Sequence, residues 1–280
     1  MTERYRKQAA DIPWSSLGRE TVSSRLGRSL LPIGTLPYDA KPHDPASPRT
    51  IASDEEGFEN YLMNIAGTAI QAGDGKLITC GHVIDAVIER KRKGYVLARA
   101  FQGNTVINTV RPFENAFRYI DPRSNLVNKA VDLAIIPFAA VNTPTHPYDV
   151  PTVEWGKSSE LGVGDEVMVG GYPYGTDLFL ALQSNRGVIQ PTFFKGIISA
   201  IIPATNETET RILQLSVTVA GGISGGAVFD PNSGAVVGMI MSGLTGEGGV
   251  LHPVTYALPS EIIAPYVQAI SFNAGGRRWQ

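Results

Sequence analysis

The chain has 280 residues, with 24 Lys plus Arg against 26 Asp plus Glu, a net charge of −2, 43% hydrophobic residues and 18% charged ones. This is the composition of an ordinary globular protein, long enough for one large all-β unit or two smaller ones. Near-zero net charge excludes a global field that would steer the chain to nucleic acid or an anionic membrane, and no run is apolar for long enough to span a bilayer. Thirty glycines and nineteen prolines, mostly between short apolar runs, favour many turns joining short strands. The single cysteine, Cys80, excludes an intrachain disulfide, and the N-terminus has no apolar signal core. Together these predict a cytoplasmic protein.

Residues 1–57 carry scattered arginines and the proline-rich stretch Pro37–Pro48, and they predict an extended arm with one short strand at Leu30–Leu36. From Tyr61 the texture changes. Met63–Gln71 alternates around small residues, Gly73-Asp74-Gly75 predicts a hairpin turn, and Lys76–Thr79 predicts the return strand. His82–Ile88 predicts a short helix, stopped by Arg90-Lys91-Arg92-Lys93 and Gly94, because cations suit the negative end of a helix and glycine accepts the left-handed cap.

Further strands are predicted at Tyr95–Phe101, Thr105–Arg111 and Val131–Phe138, before a proline-rich junction at Asn142–Lys157. A second set follows at Glu166–Gly171, Phe179–Leu182, Gly187–Ile189, Gly196–Ile202, Ile212–Leu215, Ala227–Phe229 and Ala235–Met241. Pro259–Ile270 predicts a C-terminal helix capped near Ser260. The expected divisions are 1–57 (arm), 58–150, 151–258 and 259–280 (helix and tail).

The chemistry-bearing residues fall in three places. Gly221-Gly222-Ile223-Ser224-Gly225-Gly226 puts a serine in a glycine-dense loop, where consecutive N–H groups can converge on one point. The expected oxyanion donors are the backbone N–H groups of Gly222 and Ser224. His82 leaves the end of the buried strand Leu77-Ile78-Thr79, and Asp132 stands at the mouth of the apolar run Leu133-Ala134-Ile135-Ile136. A buried acid needs a partner, and an imidazole N–H is a natural one. Any one of the three is weak evidence; the order His, Asp, Ser, with the serine in the second half, is the arrangement of a site between two barrels. His43, His146 and His252 stand apart from any ligand pattern, so no metal or other cofactor is expected. A nucleophile elbow of the α/β-hydrolase kind would need a helix after Ser224, whereas Asp230-Pro231-Asn232-Ser233-Gly234 predicts a turn.

The blocks Leu77-Ile78-Thr79-Cys80-Gly81-His82-Val83, Val131-Asp132-Leu133-Ala134 and Gly222-Ile223-Ser224-Gly225-Gly226 resemble the signatures of the chymotrypsin-like serine proteases, most closely the bacterial high-temperature-requirement (Deg) peptidase domain. The resemblance runs from about Gly67 to Ile270. It implies an all-β fold of two six-stranded antiparallel barrels, and a serine endopeptidase acting on polypeptides through a triad of His82, Asp132 and Ser224. It also implies a pocket with Thr218 at its floor and Met241-Ser242-Gly243 as its wall. With no carboxylate at those positions, a small or medium uncharged P1 residue is expected. The chain ends soon after the last helix, so no PDZ domain is expected; oligomeric state is not legible. Ile223 departs from the family, which usually has Asn or Asp there. That departure motivates an alternative, a partner-regulated binding module whose oxyanion loop is collapsed.

Overall fold

A computed structural model describes residues 21–35, 49–50, 63–88, 94–102, 105–113, 115–120, 131–138, 150–175, 190–203, 211–245 and 251–271. The basic N-terminal residues, the Arg90–Lys93 run and the strands expected at Phe179–Leu182 and Gly187–Ile189 lie outside these residues.

The first unit begins with a capped helical turn, α1 (Val22–Gly27), in which the Thr21 hydroxyl and Ser24 form a reciprocal capping box. It delivers the chain into β1 (Leu30–Thr35), every residue of which is buried. The strand sits inside the first sheet, pairing antiparallel with β3 (Asn64–Gly73) on one side and β5 (Gly94–Gln102) on the other. The remaining strands are β2 (Arg49–Thr50), β4 (Lys76–Thr79), β6 (Thr105–Phe113), β7 (Phe117–Arg118) and β8 (Ala134–Pro137), in the eight-stranded order β2-β6-β5-β1-β3-β4-β8-β7. The turn between β3 and β4 has positive φ at Gly73, Asp74 and Gly75, as a tight hairpin requires. Helix α2 (Gly81–Ile88) follows β4 directly and turns Val83, Ile84 and Val87 into the core.

The second unit is a closed six-stranded barrel. Its strands are β9 (Glu166–Gly171), β10 (Thr192–Ile202), β11 (Ile212–Leu215), β12 (Ala227–Phe229), β13 (Val236–Thr245) and β14 (Leu251–Pro259), in the order β10-β11-β14-β13-β12-β9. Alternate residues such as Val167, Val169, Leu213, Leu215 and Ile240 fill it. The architecture is the two-unit β fold that the resemblance implied, with one barrel closed and the other a larger curved sheet.

Helix α3 (Ser260–Ala269) follows β14, and its cap falls one residue before Ser260. Pro259 occupies the cap position, while the Ser260 hydroxyl accepts from the Ser158 N–H at 3.1 Å. The serine serves a distant turn because its own helix leads directly out of β14. At the other end Lys76 donates to the last-turn carbonyl of Val267 at 2.7 Å, tying α3 to the first unit. Among the described residues no helix is long and apolar enough to cross a membrane.

Candidate active site

The two units meet where β3, the end of β4 and the Ser224 loop touch. The Thr68 N–H donates to the Ser224 carbonyl at 2.8 Å, and the Thr68 hydroxyl donates to the Gly222 carbonyl at 2.9 Å. From the other side, the Thr79 hydroxyl donates to the Thr68 carbonyl at 2.7 Å. Buried backbone groups must find partners, and here they find them across the seam between units. A Cβ on Gly225 would collide with the Thr68 carbonyl and sit 2.5 Å from the Thr79 hydroxyl, and its φ of +87° is one that only glycine adopts freely.

The serine loop is held at several points. The Ile223 N–H donates to the Ala220 carbonyl at 3.4 Å across a turn in which Gly222 has φ +94°, as the third position of a type II turn requires. The Gly225 N–H reaches the Ile240 carbonyl at 2.8 Å and the Gly226 N–H the Ile223 carbonyl at 2.7 Å. Ile223 itself is 1% exposed and packs into the barrel core. An apolar anchor therefore stands where the family usually has a polar one. For the N–H groups of Gly222 and Ser224, the two expected donors, no protein acceptor is recorded among the described residues.

His82 lies in the first turn of α2, its side chain half exposed, and Asp132 precedes β8 with its side chain 20% exposed. Asp132 Oδ1 accepts the backbone N–H of His82 at 2.9 Å, while Oδ2 faces His82 Nδ1 at 2.5 Å. An ionised carboxylate can only accept, so Nδ1 carries the hydrogen of this contact. Burial by itself would raise the Asp132 carboxyl; the hydrogen bonds and charge of His82, and then the charge of Arg118, hold it below its ordinary value. No hydrogen bond is recorded between His82 and Ser224 among the described residues, although Val83 and the Ser224 carbonyl both crowd the same face of Gly67.

Cys80, His82 and Asp132 place a sulfur, a nitrogen and an oxygen within 4.8 Å of one another. A metal would need the thiolate. Burial, and secondarily the charge of Asp132, push the Cys80 thiol well up, and it donates to the Ile240 carbonyl at 3.0 Å. The chemistry of the trio suits a buried thiol beside an acid–imidazole pair.

Of the expected pocket residues, Thr218 is exposed, Met241 half-buried and Ser242 exposed. In the ladder between β13 and β14, Ile240 pairs with Ala257 and Ser242 with Tyr256, so Met241 is the extra residue of a β-bulge. β12 pairs with β13 only as far as Met239.

Two residues that the sequence reading passed over belong to this site. Arg118, on β7, approaches Asp132 Oδ1 with Nη1 at 3.9 Å and hydrogen-bonds Asp85 on α2 through Nη2. Gly81 makes room for it, since a Cβ there would fall on the guanidinium. Gly81 stands in the block around His82 without a role of its own, Arg118 lies 14 residues before Asp132 in a stretch with no motif, and only the fold joins them.

A closed β-barrel packed on a second β unit, with an aspartate-held histidine and a glycine-bound serine loop at the seam, defines a chymotrypsin-like architecture. The Trypsin-like peptidase domain profile matches residues 67–239, and the chain belongs to that family. Among curated relatives, the "Probable periplasmic serine endoprotease DegP-like" of Pseudomonas putida (strain W619) is 27% identical over 227 residues, covering 79% of this chain and 36% of that protein. Its namesake in Hahella chejuensis (strain KCTC 2396) is 33% identical over 117 residues, 41% of this chain and 21% of that protein. The chain thus spans about a third of the length of the first of these relatives. Among solved structures, "HtrA-type protease AlgW with decapeptide" superposes with a TM-score of 0.56 at 20% identity, over 89% of this chain and 67% of that one. "Crystal structure of Deg5" gives 0.55 at 16% identity, over 89% and 92%. At such identities the likeness is one of fold.

The cytoplasmic expectation is corrected by these relatives, which are named as periplasmic. The physical reason lies in Cys80. A lone thiol that is 0% exposed forms no disulfide in any compartment, so its presence does not report a reducing one.

Proposed function

We propose that the chain is a serine endopeptidase in which Ser224 is the nucleophile, His82 the general base and Asp132 the group that orients and charges the base. The observation that carries the reading is the two-point hold of Asp132 on His82, ring and backbone together. In this reading Ser224 Oγ attacks the scissile carbonyl carbon while its proton passes to His82 Nε2. The resulting oxyanion is accepted by the N–H groups of Gly222 and Ser224. The imidazolium then gives its proton to the leaving amine, the C–N bond breaks, and an acyl-enzyme remains. Water repeats the sequence in reverse and releases the acid.

The substrate strand adds to the free side of β13 at Met241–Gly243, beyond its pairing with β12, in the mode of β-augmentation. Thr218, Met241, Ser242 and Gly243 bring no carboxylate to the pocket, which favours a small or medium uncharged P1 side chain. The relatives' names favour a periplasmic setting. The buried Ile223 and the unengaged N–H groups of Gly222 and Ser224 support a loop ready for catalysis without a partner.

The test is a fluorophosphonate probe on the full chain. Rapid labelling of wild type, lost in Ser224→Ala, is expected. Labelling equal in the two would remove Ser224 as nucleophile, and labelling only after a peptide partner is added would favour the latent module.

A further inference from the structure

The Arg118 guanidinium bridges two carboxylates. It lies 3.9 Å from Asp132 Oδ1 and is hydrogen-bonded to Asp85 Oδ2, with its side chain only 26% exposed. Its position is built in. The Tyr266 hydroxyl on α3 donates to the Arg118 carbonyl at 3.1 Å and accepts from the Ile120 N–H at 3.2 Å, and the Tyr266 ring packs on Tyr119 at 4.6 Å between centroids. The missing side chain of Gly81 leaves the space that the guanidinium occupies. Two elements, α3 and α2, therefore hold Arg118 beside Oδ1 of Asp132.

We propose that Arg118 is a positioning residue that sets the proton affinity of His82 through Asp132, and that Asp85 tunes Arg118. The proposal rests on the reading of His82 and Asp132 as base and orienting acid. The charge on Asp132 stabilises the imidazolium, and a cation shared with that carboxylate weakens the stabilisation while repelling the imidazolium directly. Asp85 in turn offsets part of the charge of Arg118. The groups that face this pair from each packed element are His82 and Asp85 on α2, Asp132 before β8, the protonated Cys80 thiol after β4, and the neutral Tyr266 hydroxyl on α3.

The charges make opposite-signed predictions that a merely structural role would not. Arg118→Gln leaves Asp132 and an unpaired Asp85 facing the imidazole, so the His82 pKa rises, by roughly half a unit to one unit. Asp85→Asn leaves Arg118 uncompensated, so the His82 pKa falls. The double variant restores the net charge and returns towards wild type, and Arg118→Lys stays near it. The measurement is NMR titration of the His82 ring in the full chain, assigned by its loss in His82→Ala, with the acid limb of kcat/KM for a peptide substrate alongside. Well below that limb, Arg118→Gln is expected to lower kcat/KM by about three- to tenfold.

Shifts of the same sign in Arg118→Gln and Asp85→Asn, or no shift in either, would overturn the proposal. If Arg118→Gln does not fold, Asp85→Asn and Arg118→Lys still decide it. Opposite NMR shifts in a protein that cleaves no peptide would uphold the coupling and sink the peptidase reading, so the two failures are distinct.

Discussion

One carboxylate of Asp132 grips His82 at two atoms, the backbone N–H at 2.9 Å through Oδ1 and the ring Nδ1 at 2.5 Å through Oδ2. The grip fixes both where the first turn of α2 begins and which way the imidazole points. An acid that is four-fifths buried would be costly alone; with two bonds to His82 and Arg118 nearby it becomes a fixed, ionised support.

Removing that support should cost turnover far more than binding. Asp132→Asn keeps the shape but favours the wrong imidazole tautomer, and by analogy with other Ser-His-Asp sites kcat should fall by about 10⁴. Steady-state kinetics on one peptide would check this. A loss of less than tenfold, with the fold intact, would contradict the role given to Asp132.

Gly222→Ala tests the serine loop. A Cβ there would lie 2.5 Å from the Tyr172 carbonyl and 2.8 Å from the Gly175 N, at a φ that disfavours any side chain. The turn must move, and its N–H with it. Fluorophosphonate labelling should slow by about 10²–10³, the usual worth of one oxyanion donor, while the circular dichroism of the barrels stays unchanged.

Acid stability should depend on Glu261. Its carboxylate accepts from the Ser158 hydroxyl and the Ser159 N–H, fastening α3 to the short 3₁₀ turn Ser158–Glu160. Burial raises this carboxyl, but those hydrogen bonds outweigh it and bring it below its ordinary value. A carboxyl whose affinity for protons is lower folded than unfolded stabilises the fold above its unfolded value, near pH 4, and that contribution is lost as the pH falls through the folded value. With a third of the side chain in solvent, Glu261→Gln should cost only about 1 kcal/mol at pH 7. The gap to wild type should narrow below about pH 4 in urea titrations. A gap that is constant with pH would show that the charge is not what matters.

Cys80 should be inert. It is fully buried, its thiol is pushed well up and its Sγ is engaged by the Ile240 carbonyl. Iodoacetamide should label it in urea and leave it untouched in the native protein, as mass spectrometry would show. Rapid native labelling would mean that the seam between the two units opens.

Much of this molecule was legible one segment at a time. The Gly73–Gly75 turn, the helix after Thr79 and the run of short strands follow from local rules about glycine, periodicity and strand length. The His, Asp and Ser blocks were recognisable because each candidate side chain and its immediate backbone neighbours are read together along the chain. The cap predicted near Ser260 falls at Pro259, and what local rules did not give is the partner of the Ser260 hydroxyl: it takes the N–H the fold brings nearest, that of Ser158, 102 residues away in the chain.

The sequence by itself settled the β class and brought forward three residues whose chemistry is complementary. It could not say that β1 is a central strand of the first sheet, that Ile223 anchors the serine loop by burial, or that Arg118 stands over Gly81 beside Asp132. Turns and strands are decided by the few residues that form them. Long-range partners are decided by which surfaces exclude water together, and that is a property of the folded chain alone.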